Sequence, residues 1–330
     1  MRVLAAPDKF RGTATAAAVA AAVGAAGRTI GAQTREVPLS DGGEGFLDVF
    51  GGPNRTNVVT GPLGEPVEAG WRLSGKVAVI EMAQASGLSL VGGAEGNDPI
   101  GASTAGTGEL VVEALDAGAR RIFVGHGGSA TTDGGLAALR SLFPAARLRG
   151  VELVAAVDVG TLFLDAADVF GAQKGASASQ VELLRRRLER LAQVYRDDHG
   201  VDVTALAGAG AAGGLAGGLA TVGAVIESGF ELIATELDLA AEVDAADLVV
   251  TGEGFVDEAS FHGKVVGGMV DLAAEYDVPV LVVAGEVFDG VGDRCDAESL
   301  VRRFGRERAM ADTLACVTEV VADRLADHQS

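Results

Sequence analysis

Residues 121–143 read RIFVGHGGSATTDGGLAALRSLF, an apolar β-branched run, then a glycine-rich loop, then a helical pattern. Strand, tight turn and helix make the unit from which parallel sheets are assembled, because a parallel partner strand needs a crossover. The same alternation recurs along the chain. Short runs at 3–6, 36–39, 77–81, 121–124, 154–157, 248–251 and 280–284 read as strands, and 15–28, 107–117, 178–196 and 306–326 as helices. The sequence therefore predicts an α/β protein with a largely parallel sheet. In the last helix Met310, Leu314, Val317, Val321 and Leu325 recur at intervals of three and four, which predicts one docking face.

A chain of 330 residues is about twice a usual domain, so two cores are expected. Hydrophobic residues make up 48%, enough for a chain folded throughout. The βα units at both ends differ in texture from the middle, which predicts a discontinuous domain of residues 1–85 plus 246–330 with 86–245 inserted. A net charge of −20 opposes nucleic acid and anionic membrane surfaces as partners, although local cations can still receive a phosphate. Two cysteines, Cys295 and Cys316, are too few for a disulfide framework and fit a reducing cytoplasm. The Ala-rich stretch 14–26 follows Asp8 and is poor as a signal core, and no run is apolar for long enough to span a membrane.

Glycines number 48 and cluster between the periodic segments. In 125–135 such a loop can aim free amides and a helix N-terminus at a phosphate, with Ser129 and Thr131 adding hydroxyls, although the spacing alone favours a tight βα turn capped by Ser, Thr or Asp. PLSDGGEG at 38–45 puts Asp41 and Glu44 at a strand end, where they can hold Mg²⁺ or accept a hydroxyl proton, or form an Asp-Gly turn before a helix. TGEG at 251–254, followed by Asp257 and Lys264, repeats the theme, with a surface-charge reading beside it. GAGAAG at 208–213 satisfies the dinucleotide pattern but follows a poor strand, so a glycine-rich helix start is expected there. No GxxxxGK[ST] occurs. His126 and His262 lie in motif loops and His199 and His328 elsewhere; without partners they predict no zinc. Arg185, Arg186, Arg187 and Arg190 alternate with leucines and read as a solvated helix face.

Taken in order, APDKFRGTATA from Ala6, PLSDGGEG, VAVIEMAQASGLSL from Val77, STAGTGEL from Ser103, GGSATTDGG from Gly127, FGAQKGA from Phe170, GAGAAGG, ADLVVTGEG from Ala246 and VPVLVVAG from Val278 resemble the glycerate kinase family that lacks a P-loop. The resemblance implies a Rossmann-like three-layer parallel-sheet domain with a second, inserted α/β domain. It implies ATP and Mg²⁺ as cofactors and D-glycerate or a related hydroxy acid as the small-molecule partner. It also implies a catalytic set of Asp41, Asp133, Lys9 and Arg11, with Asp41 the preferred base. Substrate or phosphate contacts are implied at Asp8, Gly42, Gly43, Gly127, Gly128, Ser129, Thr131, Lys174 and Lys264, and metal ligands at Glu44, Glu253 and Asp257. A kinase of another hydroxy acid, a non-catalytic nucleotide binder and a homodimer stay open. The chain departs from the family where an arginine gives way to Phe255, where Ala259-Ser260 replaces a Gln-Thr pair, at a shortened 160–169 segment, and at His126, where an aliphatic residue is usual.

Overall fold

The computed structural model describes residues 1–261, 263–288, 290–291 and 294–327, so His262 and His328 lie outside the described residues. In chain order the strands among them are β1 (Arg2–Ala5), β2 (Gln33–Glu36), β3 (Arg55–Thr60), β4 (Pro66–Ser74), β5 (Val77–Glu81), β6 (Arg121–Gly125), β7 (Glu152–Val157), β8 (Val225–Ser228), β9 (Leu248–Thr251), β10 (Phe255–Val256), β11 (Val280–Ala284), β12 (Glu286–Val287) and β13 (Asp296–Ser299). The chain forms two compact units, Met1–Asp41 with Phe230–Ser330, and Gly42–Gly229.

The first unit is a five-stranded parallel sheet in the order β13-β11-β9-β1-β2. Its three central strands β1, β9 and β11 are buried on both faces, as the middle of a parallel sheet requires, while the edge strand β2 is largely exposed. On one face Val3, Ala5, Val250 and Val283 join Val19, Val23, Val317 and Val321 from helices Ala16–Thr29 and Thr313–Asp327. On the other, Val282 and Ala284 pack with Val266 of helix Val265–Glu275. Alternate residues of one strand thus feed two cores, which makes the unit three-layered. The Ala-rich stretch is the first of these helices, started by the Thr15 hydroxyl accepting from the Ala18 amide.

The second unit carries a six-stranded sheet in the order β3-β4-β5-β6-β7-β8. Its strands β5 to β8 run parallel, while β3, β4 and β5 are antiparallel neighbours. Ile80, Ile122 and Val124 pack there against Leu110, Val111 and Leu215. Each such side chain contributes roughly 1.5–3 kcal/mol on leaving water.

Several expectations shift. The break expected near 85 falls at Asp41/Gly42, and that near 245 at Gly229/Phe230. The reason is pairing: β5, expected in the first domain, joins β6 from Val77↔Arg121 to Glu81↔Gly125. The strand expected at 36–39 lies at Gln33–Glu36, although the ladder continues through Val37 and Leu39, whose amides bond Ala5 and Pro7. The helix expected at 306–326 is broken at Asp312 into Arg306–Ala311 and Thr313–Asp327. Met310 and Leu314 consequently point outward, and only Val317, Val321 and Leu325 of that predicted face are buried.

Candidate active site

In the first unit β1 leads by its helix to β2 on one side, whereas β9 leads to β11 and β13 on the other. The direction of winding reverses between β1 and β9, and open parallel sheets bind ligands beyond the strand ends at such a point. The loops leaving those strands are tied together: Asp8 N donates to Gly252 O at 2.8 Å, Leu39 N to Pro7 O at 2.9 Å, and Thr251 Oγ1 to Ala6 O at 2.8 Å. That lacing draws Asp8, Lys9, Asp41 and Glu253 together.

Lys9 Nζ lies 3.5 Å from Asp8 Oδ1 and 3.8 Å from Asp41 Oδ1, and Asp8 Oδ1 also accepts from the Lys9 amide at 2.6 Å. One ammonium faces two buried carboxylates. Burial first, then the Asp41 charge, push the Asp8 carboxyl up to about 7, with Lys9 opposing and Glu253 adding a smaller repulsion. Glu253 is also raised by burial, against the Ser260 hydroxyl and Lys264, and its Oε1 is buried without a hydrogen-bond partner. Asp257 instead closes a local turn, its Oδ1 accepting from the Ser260 amide at 3.1 Å. Lys264 occupies the N-cap position of helix Val265–Glu275, and Arg11 is exposed.

No cage of three or more His, Cys, Asp or Glu exists among the described residues. Mg²⁺ asks for less, because it commonly uses one or two carboxylates and completes its shell with phosphate oxygens and water. The orphaned Glu253 Oε1 fits that need. Glu44 belongs to the other unit and is exposed, so the predicted trio of Glu44, Glu253 and Asp257 is not a cluster within either unit.

In the second unit the loop after β6 is laced to its surroundings. Leu88 N donates to Gly128 O at 2.8 Å, Ala130 N to Ser86 O at 3.0 Å, and Gly134 N to Gly213 O at 3.0 Å. Asp133, expected as an alternative base, is consumed by structure. Its carboxylate accepts from Thr104 N, Thr104 Oγ1 and Gly135 N at 2.8–3.0 Å and from Ala137 N at 3.4 Å. Thr104 Oγ1 takes the Ala138 amide as well, so the start of helix Leu136–Ser141 is already capped, and the expected helix-terminus cradle is occupied by this chain's own side chains. The amides of Gly127 and Gly128 keep no partner among the described residues, and the Ser129 side chain stands beside them. Thr131, expected to offer a hydroxyl, is wholly buried.

Lys174, expected as an anion contact, is fully buried and donates from Nζ to Thr131 O at 2.7 Å. Asn97 ties the same pair of segments, its amide donating to Ala130 O and Lys174 O at 2.9 Å each. Lys174 thus props the loop from behind. Burial pulls its ammonium down to about 7, with Asp133 opposing. The folded pKa lies below the unfolded one, so the unfolded chain binds more protons between about 7 and 10.5 and this group adds stability as pH rises through that window. Lys174→Met removes the effect: its stability relative to wild type, read by urea denaturation at pH 6.5 and 9.5, should fall with pH, and a constant difference would show an ordinary lysine.

His126 is buried, with Nδ1 2.8 Å from Val124 O and Nε2 without a partner; burial pushes it down to about 4, so it is neutral near pH 7. Two residues escaped the sequence reading. Thr104 is one, and Glu81 is the other: at the end of β5 its Oε2 accepts from Leu47 N at 3.2 Å, just after the DGGEG turn. A lone acid closing an otherwise apolar strand was the available signal.

A model of the glycerate kinase family matches residues 3–143 and 144–324. The chain is 39% identical over 305 residues to glycerate 2-kinase of Escherichia coli, covering 80% of each chain. It is 38% identical over 304 residues to glycerate kinase of Bacillus subtilis, covering 80% of this chain and 79% of the other. A solved structure assigned to glycerate kinase 2 of Salmonella typhimurium LT2 superposes with a TM-score of 0.81 at 34% identity, covering 100% of this chain and 99% of that one. Sequence, fold and relatives agree that the chain belongs to the glycerate kinase family and is a kinase.

Proposed function

We propose that the protein transfers the γ-phosphate of ATP to a hydroxyl of D-glycerate, giving a phosphoglycerate and ADP. The observation that carries this reading is the Asp8–Lys9–Asp41 group at the winding reversal of the parallel sheet. Phosphoryl transfer needs positioning, charge neutralisation and one acceptor for the hydroxyl proton. As the hydroxyl oxygen bonds the γ-phosphorus and the bond to ADP breaks, the proton passes to the Asp8–Asp41 pair. A carboxyl with a pKa pushed up to about 7 suits that exchange near neutrality. Lys9 offsets the pair's charge and steadies its geometry.

Glu253 would hold Mg²⁺ through its orphaned oxygen, and the ion supplies neutralisation of phosphate charge. Lys264 and Arg11 offer cations to the anionic ends of the substrates. Asp133, Lys174 and Glu81 are scaffold in this assignment, because their polar atoms are spent on the backbone.

The test is ADP release by purified protein with ATP and Mg²⁺, with and without D-glycerate, followed by phosphorus NMR of the product. Release that requires both D-glycerate and the metal, with loss on chelation, is expected. Background release at millimolar acceptor from folded protein would overturn the reading.

A further inference from the structure

We infer that a cavity in the first unit, walled by Phe255 and Phe288, takes the adenine base of the phosphoryl donor; the inference rests on the kinase reading above. The cavity measures about 280 Å³ and its walls include Phe10, Arg11, Gly254, Phe255, Gly285 and Phe288. Three of these continue loops already described. Phe10 and Arg11 follow Asp8 and Lys9 after β1, and Gly254 follows Glu253 after β9. A nucleotide seated here has its base in a chamber built by the same loops that carry the acids.

Phe255 opens β10 and Phe288 directly follows its parallel partner β12, its amide bonding Val256 O at 3.0 Å, and the two ring centroids lie 6.1 Å apart at 78°. They are 47% and 51% exposed, so two large apolar rings sit half in water side by side. Leaving them there forgoes burial energy, and a flat apolar ligand regains it. Every base offers a π-face for stacking. Arg11 adds the charge: it makes no ion pair among the described residues, in a chain of net charge −20. Arg306, by contrast, is spent on Glu286 through two contacts of 2.8 and 2.9 Å. An aromatic wall beside an unspent guanidinium fits a base followed by phosphates. A hydroxy acid, which has no aromatic face, does not need it.

Two variants test the assignment. Phe255→Trp puts a reporter in the wall of a protein whose single native tryptophan, Trp71, is 2% exposed and held by Asn57. ADP should quench the new indole, and pyrophosphate should not. Phe255→Ala should raise KM for ATP about tenfold, the scale of one lost stacking contact, while KM for D-glycerate holds. Phe255 is half-exposed, so circular dichroism of both variants should match wild type. No quenching by ADP, together with an unchanged KM for ATP in a turning-over enzyme, would overturn the cavity while leaving the kinase reading intact. ADP quenching in a protein that never turns over D-glycerate would do the reverse.

Discussion

Asp8→Asn protein should release ADP about 10²–10⁴-fold more slowly than wild type and yet melt at a higher temperature at pH 8. The loss follows from taking away half of the carboxylate pair that receives the hydroxyl proton. The gain follows from the same burial. Folding raises the Asp8 carboxyl from 3.8 to about 7, so the folded chain holds a proton that the unfolded chain has released across that interval. Stability from this group is complete below pH 3.8 and is lost as pH rises through about 7. At pH 8 the charged form is endured against burial and the Asp41 charge, with Lys9 only partly offsetting them. Asparagine has a similar shape and no charge to bury. Relief on the order of 1–3 kcal/mol is expected at pH 8 and much less at pH 4. Thermal melts without nucleotide or metal, at both pH values, decide it. A variant destabilised equally at both would show that Asp8 is held as an ordinary ion-paired carboxylate.

Gly213→Ala should cost about 3 kcal/mol or more and displace the loop of the second unit. Gly213 has φ +69°, and a Cβ there would lie 1.9 Å from Thr131 O and 2.7 Å from Thr132 Cα. Both obstacles are backbone, so no rotamer change relieves the clash. The Thr131 carbonyl is also the acceptor for Lys174, so moving it strips the buried ammonium of its hydrogen bond. Gly200→Ala serves as the control: φ is +71° and nothing lies within 4 Å, so only the backbone penalty of about 1 kcal/mol applies. Urea denaturation of both variants should show the threefold contrast. Equal losses would mean that the loop yields freely at Thr131.

At the sheet edges β8, reading VIES, and β13, reading DAES, went unread, whereas the central parallel strands were legible because an apolar run buried on both faces has few other readings. β3 and β4 were not. Val58 is 67% exposed, and β4 alternates buried Ala69 and Trp71 with half-exposed neighbours, so neither shows the continuous apolar run that marks the central parallel strands. The acids at strand ends were legible as candidates, and the fold joins Asp8, Asp41 and Glu253. Their division of labour was hidden, since Asp41 and Asp133 each precede a Gly-Gly pair. Only tertiary contacts separate them: Thr104, 29 residues upstream, consumes Asp133, while Lys9 pairs with Asp41 beside the Asp8 carboxyl. Lys174 misled for a related reason, because burial is invisible in a loop motif.

The pairing of β1 with β9 also sets an order of events during synthesis. Val3 lies beside Leu248, so β1 emerges from the ribosome with β2 on one flank and nothing on the other until the ninth strand has been made. At about 5–20 residues per second that wait lasts roughly 12–50 s. Residues 42–229, a contiguous stretch carrying all six strands of their own sheet, are complete before it ends. The nascent chain thus has every part of its second unit in hand while the acids of its first are still waiting for Glu253.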